Sequence, residues 1–138
     1  MIGRRGLLLA GAALVVAGRP RGAWAARADV GDEEWKSRLT PAQYDVLRRA
    51  KMERAGSSPL VHERRRGTYC CAACGEPLFR SEAKIDSRSG WPSFRTSSAS
   101  GVFTKGSKLH CAGCNGHLGR RESGANAING VALRFRAA

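Results

Sequence analysis

Four cysteines set as two pairs carry the strongest chemical signal in this sequence. Cys71-Ala72-Ala73-Cys74-Gly75 and Cys111-Ala112-Gly113-Cys114-Asn115-Gly116 each place two thiols three positions apart. Four soft thiolates form a tetrahedral donor set for zinc, and a two-residue spacer lets both sulfurs of a pair reach one ion from a tight turn. Gly75 and Asn115 follow the second cysteine of each pair. Both residue types tolerate a positive φ, so the chain can curl back around an ion. The pairs are separated by 36 residues, 75 to 110, against about 15–20 in a compact zinc ribbon. A structural Zn2+ held by Cys71, Cys74, Cys111 and Cys114 would therefore staple the two ends of an inserted substructure. The competing reading is two disulfides or four unconnected thiols; the duplicated spacing favours the metal. Cys70 is left over as a fifth cysteine.

The elements that must hold these pairs are short. Thr40-Pro41-Ala42-Gln43 is a helix start: Thr40 caps, Pro41 takes the first helical position and Gln43 closes a capping box. Tyr44, Leu47 and Met52 fall near one face, and the helix is expected to end near Glu53, before Gly56-Ser57-Ser58-Pro59. The acidic stretch Asp29–Lys36, with Trp35, reads as part of a linker over 26–38. Thr68–Cys71 reads as a strand running into the first knuckle. Pro77-Leu78-Phe79 reads as a strand leaving it, Lys108-Leu109-His110 as the strand entering the second, and Val131–Phe135 as a closing strand. Gly90-Trp91-Pro92-Ser93-Phe94 is a rigid aromatic corner, and Ser97–Gly101 a polar loop.

A chain of 138 residues suits one domain, and few aromatic residues make a thin core that a metal staple would help. Met1–Ala25 has the form of a cleavable export signal. Arg4-Arg5 opens it, Gly6–Gly18 is an apolar run too short to span a bilayer, and Ala23-Trp24-Ala25 is a small-x-small cleavage site. Arg4-Arg5-Gly6-Leu7-Leu8 is similar to a twin-arginine signal, which implies export, into a periplasm, of a domain folded around its metal. The alternative is an uncleaved membrane anchor. The formal net charge is +13, and loss of 1–25 would remove four arginines and no acids, leaving +9. Lys and Arg are dispersed rather than run together. That pattern favours a solvated basic surface over nucleic acid, as does the scarcity of aromatics interleaved with the basic residues.

Taken together, these segments resemble the methionine-R-sulfoxide reductase family, also called the SelR domain. The resemblance runs from Leu39 to Phe135. It rests on Leu39–Tyr44, Gly67-Thr68-Tyr69, Cys71–Phe79, Gly90–Phe94, Cys111–Gly119, Ile128-Asn129 and Ala132–Phe135 in the family's order. It implies a mainly β fold: two small antiparallel sheets, an N-terminal helix, and a structural four-cysteine zinc site away from the catalytic centre. It also implies a domain over 39–138 acting, as a monomer, on oxidised methionine in proteins. The nucleophile would be a cysteine thiolate, regenerated by a second thiol or a thioredoxin-like reductant.

The resemblance also carries roles onto single residues. Trp91 stands where an aromatic wall holds the substrate methyl group, and His117 and Asn129 match polar residues of the active site. Each has a plain structural reading as well: a core tryptophan, a histidine beside the knuckle, and a turn residue before Gly130. The nucleophile position, two residues before Asn129, is Ala127, whose methyl group cannot become a thiolate. Arg120 stands in place of the second histidine, Ala125 and Asn126 replace the family's Arg-Tyr, and Ser89 occupies the usual resolving-cysteine position. Two loops, 94–111 and 117–127, are shortened. Cys70 points away from Cys71 if it lies in a strand, which suits a core thiol better than a relocated nucleophile. Three functions therefore compete: an active reductase, an inactive zinc-stabilised binding module of the same fold, and a basic module for nucleic acid.

Overall fold

The computed structural model describes residues 30–96 and 101–138. The proposed signal, and most of the loop expected over 97–101, lie outside these residues. Nine strands form two antiparallel sheets. Strands β1 (Gly67–Cys71), β2 (Pro77–Arg80) and β9 (Leu133–Ala137) make a three-stranded sheet with β1 in the middle. The other six are β3 (Lys84–Ile85), β4 (Ser93–Arg95), β5 (Val102–Lys105), β6 (Lys108–Cys111), β7 (His117–Glu122) and β8 (Ala125–Ile128). They lie in the order β3-β4-β8-β7-β6-β5.

The two sheets meet through aromatic rings. Phe79 of β2 stacks on Phe94 of β4 with ring centroids 4.2 Å apart, and Tyr69 of β1 meets the same ring edge-on at 5.0 Å. Phe135 of β9 closes on Tyr69 at 4.9 Å. Burying such rings supplies most of the cohesion available to a small core.

Among the described residues, two short helices cover this core. The second, α2 (Pro41–Leu47), has the expected start: Thr40 accepts from the Gln43 amide while the Gln43 side chain accepts from the Thr40 amide. It ends at Leu47, not near Glu53, and Ala50 takes a positive φ of 55°. The reason is that residues 52–53 are used elsewhere. The Glu53 amide donates to Asn129 Oδ1, and its carboxylate accepts from the Gly130 and Val131 amides. A helix continued to 53 could not reach that turn.

The first helix, α1 (Asp32–Arg38), falls in the stretch read as linker. Asp32, Glu33 and Glu34 occupy its first turn and Lys36 and Arg38 its last, in line with the helix dipole. Its anchor is Trp35, 2% exposed, with the Arg48 guanidinium 4.4 Å above the ring. The closing strand also starts later than expected. Gly130–Ala132 forms a 3-10 turn, which the Glu53 carboxylate holds, and β9 begins at Leu133.

Candidate functional site

The two C-x-x-C pairs fold as near-identical knuckles. Gly75 N donates to Cys71 O and Asn115 N to Cys111 O, each at 2.8 Å, with φ of +78° and +60° at Gly75 and Asn115. One knuckle joins β1 to β2 and the other joins β6 to β7, so each sheet contributes two cysteines. All four sulfurs lie within 4.8 Å of one another and all four residues are buried. Cys71 Sγ is 3.8 Å from Cys114 Sγ, and Cys74 Sγ 3.6 Å from Cys111 Sγ. A disulfide needs about 2.05 Å. A tetrahedral ion with sulfurs at about 2.3 Å sets them about 3.8 Å apart. The donor set and its spacing therefore fit a metal and exclude two disulfides in this geometry. Hydrogen bonding with Cys111 pushes the Cys71 thiol far up and pulls Cys114 far down, so the thiols share their protons unequally.

The residues matched to the family's catalytic centre lie on β4, β7, β8 and the corner before β4. Ala127 on β8 pairs with Ser93 on β4 and with Arg120 on β7. Directly paired residues share a sheet face, so Ser93, Ala127 and Arg120 form one row. Trp91 adjoins it: the Arg120 guanidinium stands 5.5 Å from the centre of the indole ring. Arg120 also pairs with Glu122 at 3.1 Å. The Trp91 indole N–H donates to Glu53 O at 3.1 Å, which fixes the ring. Ser89 lies close by, in a hydroxyl cluster with Ser87 and Ser93: Ser87 Oγ is 2.7 Å from both of the others.

His117 and Asn129 are placed differently. His117 is 3% exposed and gives its Nδ1 proton to Val46 O, one of the end carbonyls of α2, at 3.1 Å. Burial holds its pKa below the ordinary histidine value, so the ring is neutral near neutral pH. Asn129 is fully buried. Its Oδ1 accepts from Glu53 N and its Nδ2 donates to Leu118 O, both at 2.8 Å. Both side chains therefore tie segments together: His117 joins β7 to α2, and Asn129 joins the 52–53 segment to β7. Glu53 is the residue that sequence reasoning missed, having been read only as a helix end. Its single carboxylate follows no motif, and only the folded turn reveals that its amide and its carboxylate are both spent there.

The shortened loop 117–127 is a tight hairpin. β7 and β8 are joined by Ser123 and Gly124 alone, with φ of +49° and +80°, the pair of positive values that a type I′ turn needs. Asn126 is 1% exposed; its Nδ2 donates to Arg95 O while its Oδ1 has no hydrogen-bond partner among the described residues. Cys70 is 4% exposed on the middle strand of the other sheet.

The SelR domain model matches residues 39–137, which is most of the chain. This chain belongs to the SelR family. It is similar to the peptide methionine sulfoxide reductase MsrB of Leptospira interrogans, at 40% identity over 120 residues, covering 75% of this chain and 92% of the relative. It is also similar to MsrB of Leifsonia xyli, at 44% over 97 residues, covering 64% of this chain and 70% of the relative. Peptide methionine sulfoxide reductase B6 of Arabidopsis thaliana is 34% identical over 125 residues, covering 78% and 80%. The Leptospira match runs over 120 aligned residues yet takes in 75% of a 138-residue chain. That SelR relative thus carries residues which this chain lacks, in keeping with the two-residue hairpin.

Proposed function

We propose that this chain is a zinc-stapled member of the methionine-R-sulfoxide reductase family that engages oxidised methionine in exported proteins without reducing it by the family's thiolate route. One observation carries the reading. At the nucleophile position, Ala127 sits between Ser93 and Arg120, and its methyl group has no lone pair to attack a sulfoxide sulfur. The neighbours support it. Arg120 offers a guanidinium, a donor-only group, where a proton-exchanging imidazole is expected. His117 is neutral, with its Nδ1 proton committed to a helix end.

The zinc of this reading is structural. Cys71, Cys74, Cys111 and Cys114 would hold it, and its chemistry is to join the two sheets. Export by the Arg4-Arg5 signal, cleavage after Ala25, a periplasmic location and a monomeric state belong to the same proposal. A thioredoxin-like reductant would serve only an active form.

The test is an R-sulfoxide reduction assay on the purified chain, with dithiothreitol or thioredoxin, run beside Ala127→Cys and Cys70→Ser. Binding of a peptide carrying methionine-R-sulfoxide is compared with the unoxidised peptide in parallel. Selective binding with no turnover is the expected result. Turnover abolished by Cys70→Ser would make Cys70 a relocated nucleophile, and turnover surviving that change would mean that the family mechanism does not apply here. Equal binding of both peptides would end the recognition half of the proposal.

A further inference from the structure

The formal charge of +13 is not used by the site described so far. Part of it is gathered on one plane. In the three-stranded sheet, Tyr69 and Phe135 face the aromatic core, so their neighbours along each strand face away from it. Thr68 pairs with Arg80 on one side and Arg136 on the other, and Cys70 pairs with Arg134. Paired residues share a face. The outer face therefore carries Arg80, Arg134 and Arg136 around Thr68 and Cys70. Strand spacing of about 4.8 Å and a rise of about 3.4 Å per residue put the three Cα atoms about 7–12 Å apart.

The arginines stand out from this face, while Cys70 at its floor is 4% exposed. All three arginines are exposed, Arg80 with 80% of its side chain. Arg80 reaches Glu82 only at 3.6 Å, and among the described residues Arg134 and Arg136 have no ion-pair partner. A shallow hollow of about 490 Å³ adjoins the Arg80 edge, lined in part by Arg65, Arg66, Thr68 and Glu82. Residues 1–29 carry five arginines and one acid, so they cannot neutralise the patch.

We infer that this outer face docks on an anionic phospholipid surface. Strand side chains stand perpendicular to their sheet, so the guanidinium groups form a flat array that matches a plane of phosphates. Guanidinium binds phosphate in a bidentate manner that lysine cannot copy. Each basic group near such a surface contributes roughly a fivefold gain in partition, and the gain fades with salt.

The experiment uses the full chain with vesicles of phosphatidylcholine alone or mixed in equal parts with phosphatidylglycerol. Co-sedimentation is expected with the mixed vesicles only. Arg80→Gln/Arg134→Gln/Arg136→Gln should lower it by at least about tenfold, whereas Arg54→Gln/Arg88→Gln/Arg95→Gln, on other surfaces, should change it by less than about threefold. Lipid carrying a paramagnetic chelate should broaden amide signals of β1, β2 and β9 and spare β5 and β6. Equal losses in the two triple variants would reduce the effect to net charge and overturn the proposal, as would broadening that spares β1, β2 and β9. Tighter binding to a polyglutamate peptide than to vesicles would assign the face to an acidic polypeptide. Release by millimolar inorganic phosphate at constant ionic strength would assign it to a free anion.

Discussion

Ala127, Arg120 and His117 differ in what could be restored at each. Ala127→Cys returns a sulfur to the row, but Arg120 still lies over Trp91, and a guanidinium does not release its proton near neutral pH. The single variant should therefore recover little R-sulfoxide reduction. Ala127→Cys combined with Arg120→His should exceed it by about a hundredfold or more, the usual worth of a positioned acid–base group; steady-state assay of the pair checks this. His117 makes a separate prediction. Burial, with His110 and Lys108 as unfavourable neighbours, keeps its folded pKa below 6.5. The unfolded state then binds the proton more readily, so the stabilisation is full above about pH 6.5 and is lost as pH falls towards the lower folded value. Urea midpoints at about pH 7.5 and 5.5 should drop further for the wild type than for His117→Gln, whose side chain does not titrate. Equal drops would show that the loss arises elsewhere.

At the scale of elements, the hairpin turn is locally suboptimal. Ser123 holds a φ of +49°, a region costing about 1–2 kcal/mol for most L residues. Ser123→Asn, which makes an Asn-Gly turn, should raise stability by about 0.5–1 kcal/mol in denaturant unfolding. Helix α1 is held chiefly by one ring, so Trp35→Ala should cost about 3–5 kcal/mol by the same measurement. These elements also mark what could be read in advance. The α2 start was legible because Thr40, Pro41 and Gln43 act locally. The knuckles were legible because a pair of cysteines and its following Gly or Asn fix a turn without outside help. The end of α2 was not, since Glu53 is claimed by a turn 76 residues away along the chain. Nor was α1, whose seven residues are polar apart from Trp35 and are stable only once that ring is buried against Arg48. The structural duties of His117 and Asn129 were visible only as one of two readings, because the partners that settle their hydrogen bonds, Val46 and Glu53, carry no motif.

For the whole molecule, the four-cysteine cluster is a second link between the sheets, beside the aromatic contacts. Metal binding of this kind supplies on the order of 10–16 kcal/mol of folding free energy, more than a small domain's usual net stability. Elemental analysis should find one zinc per chain. A strong chelator, or Cys74→Ser, should abolish the cooperative unfolding transition seen by circular dichroism. The order of the strands has a further consequence, for biosynthesis. β1 is the middle strand of its sheet, yet its partner β9 is made after all the other described strands, with Gly67 opposite Ala137. While the chain is still leaving the ribosome, β1 has one bare hydrogen-bonding edge and Cys71 and Cys74 await sulfurs not yet made. Such an edge invites pairing with other nascent chains. Completion of this sheet must therefore wait until β9 has emerged, and the interval before it does is when the chain most needs a chaperone.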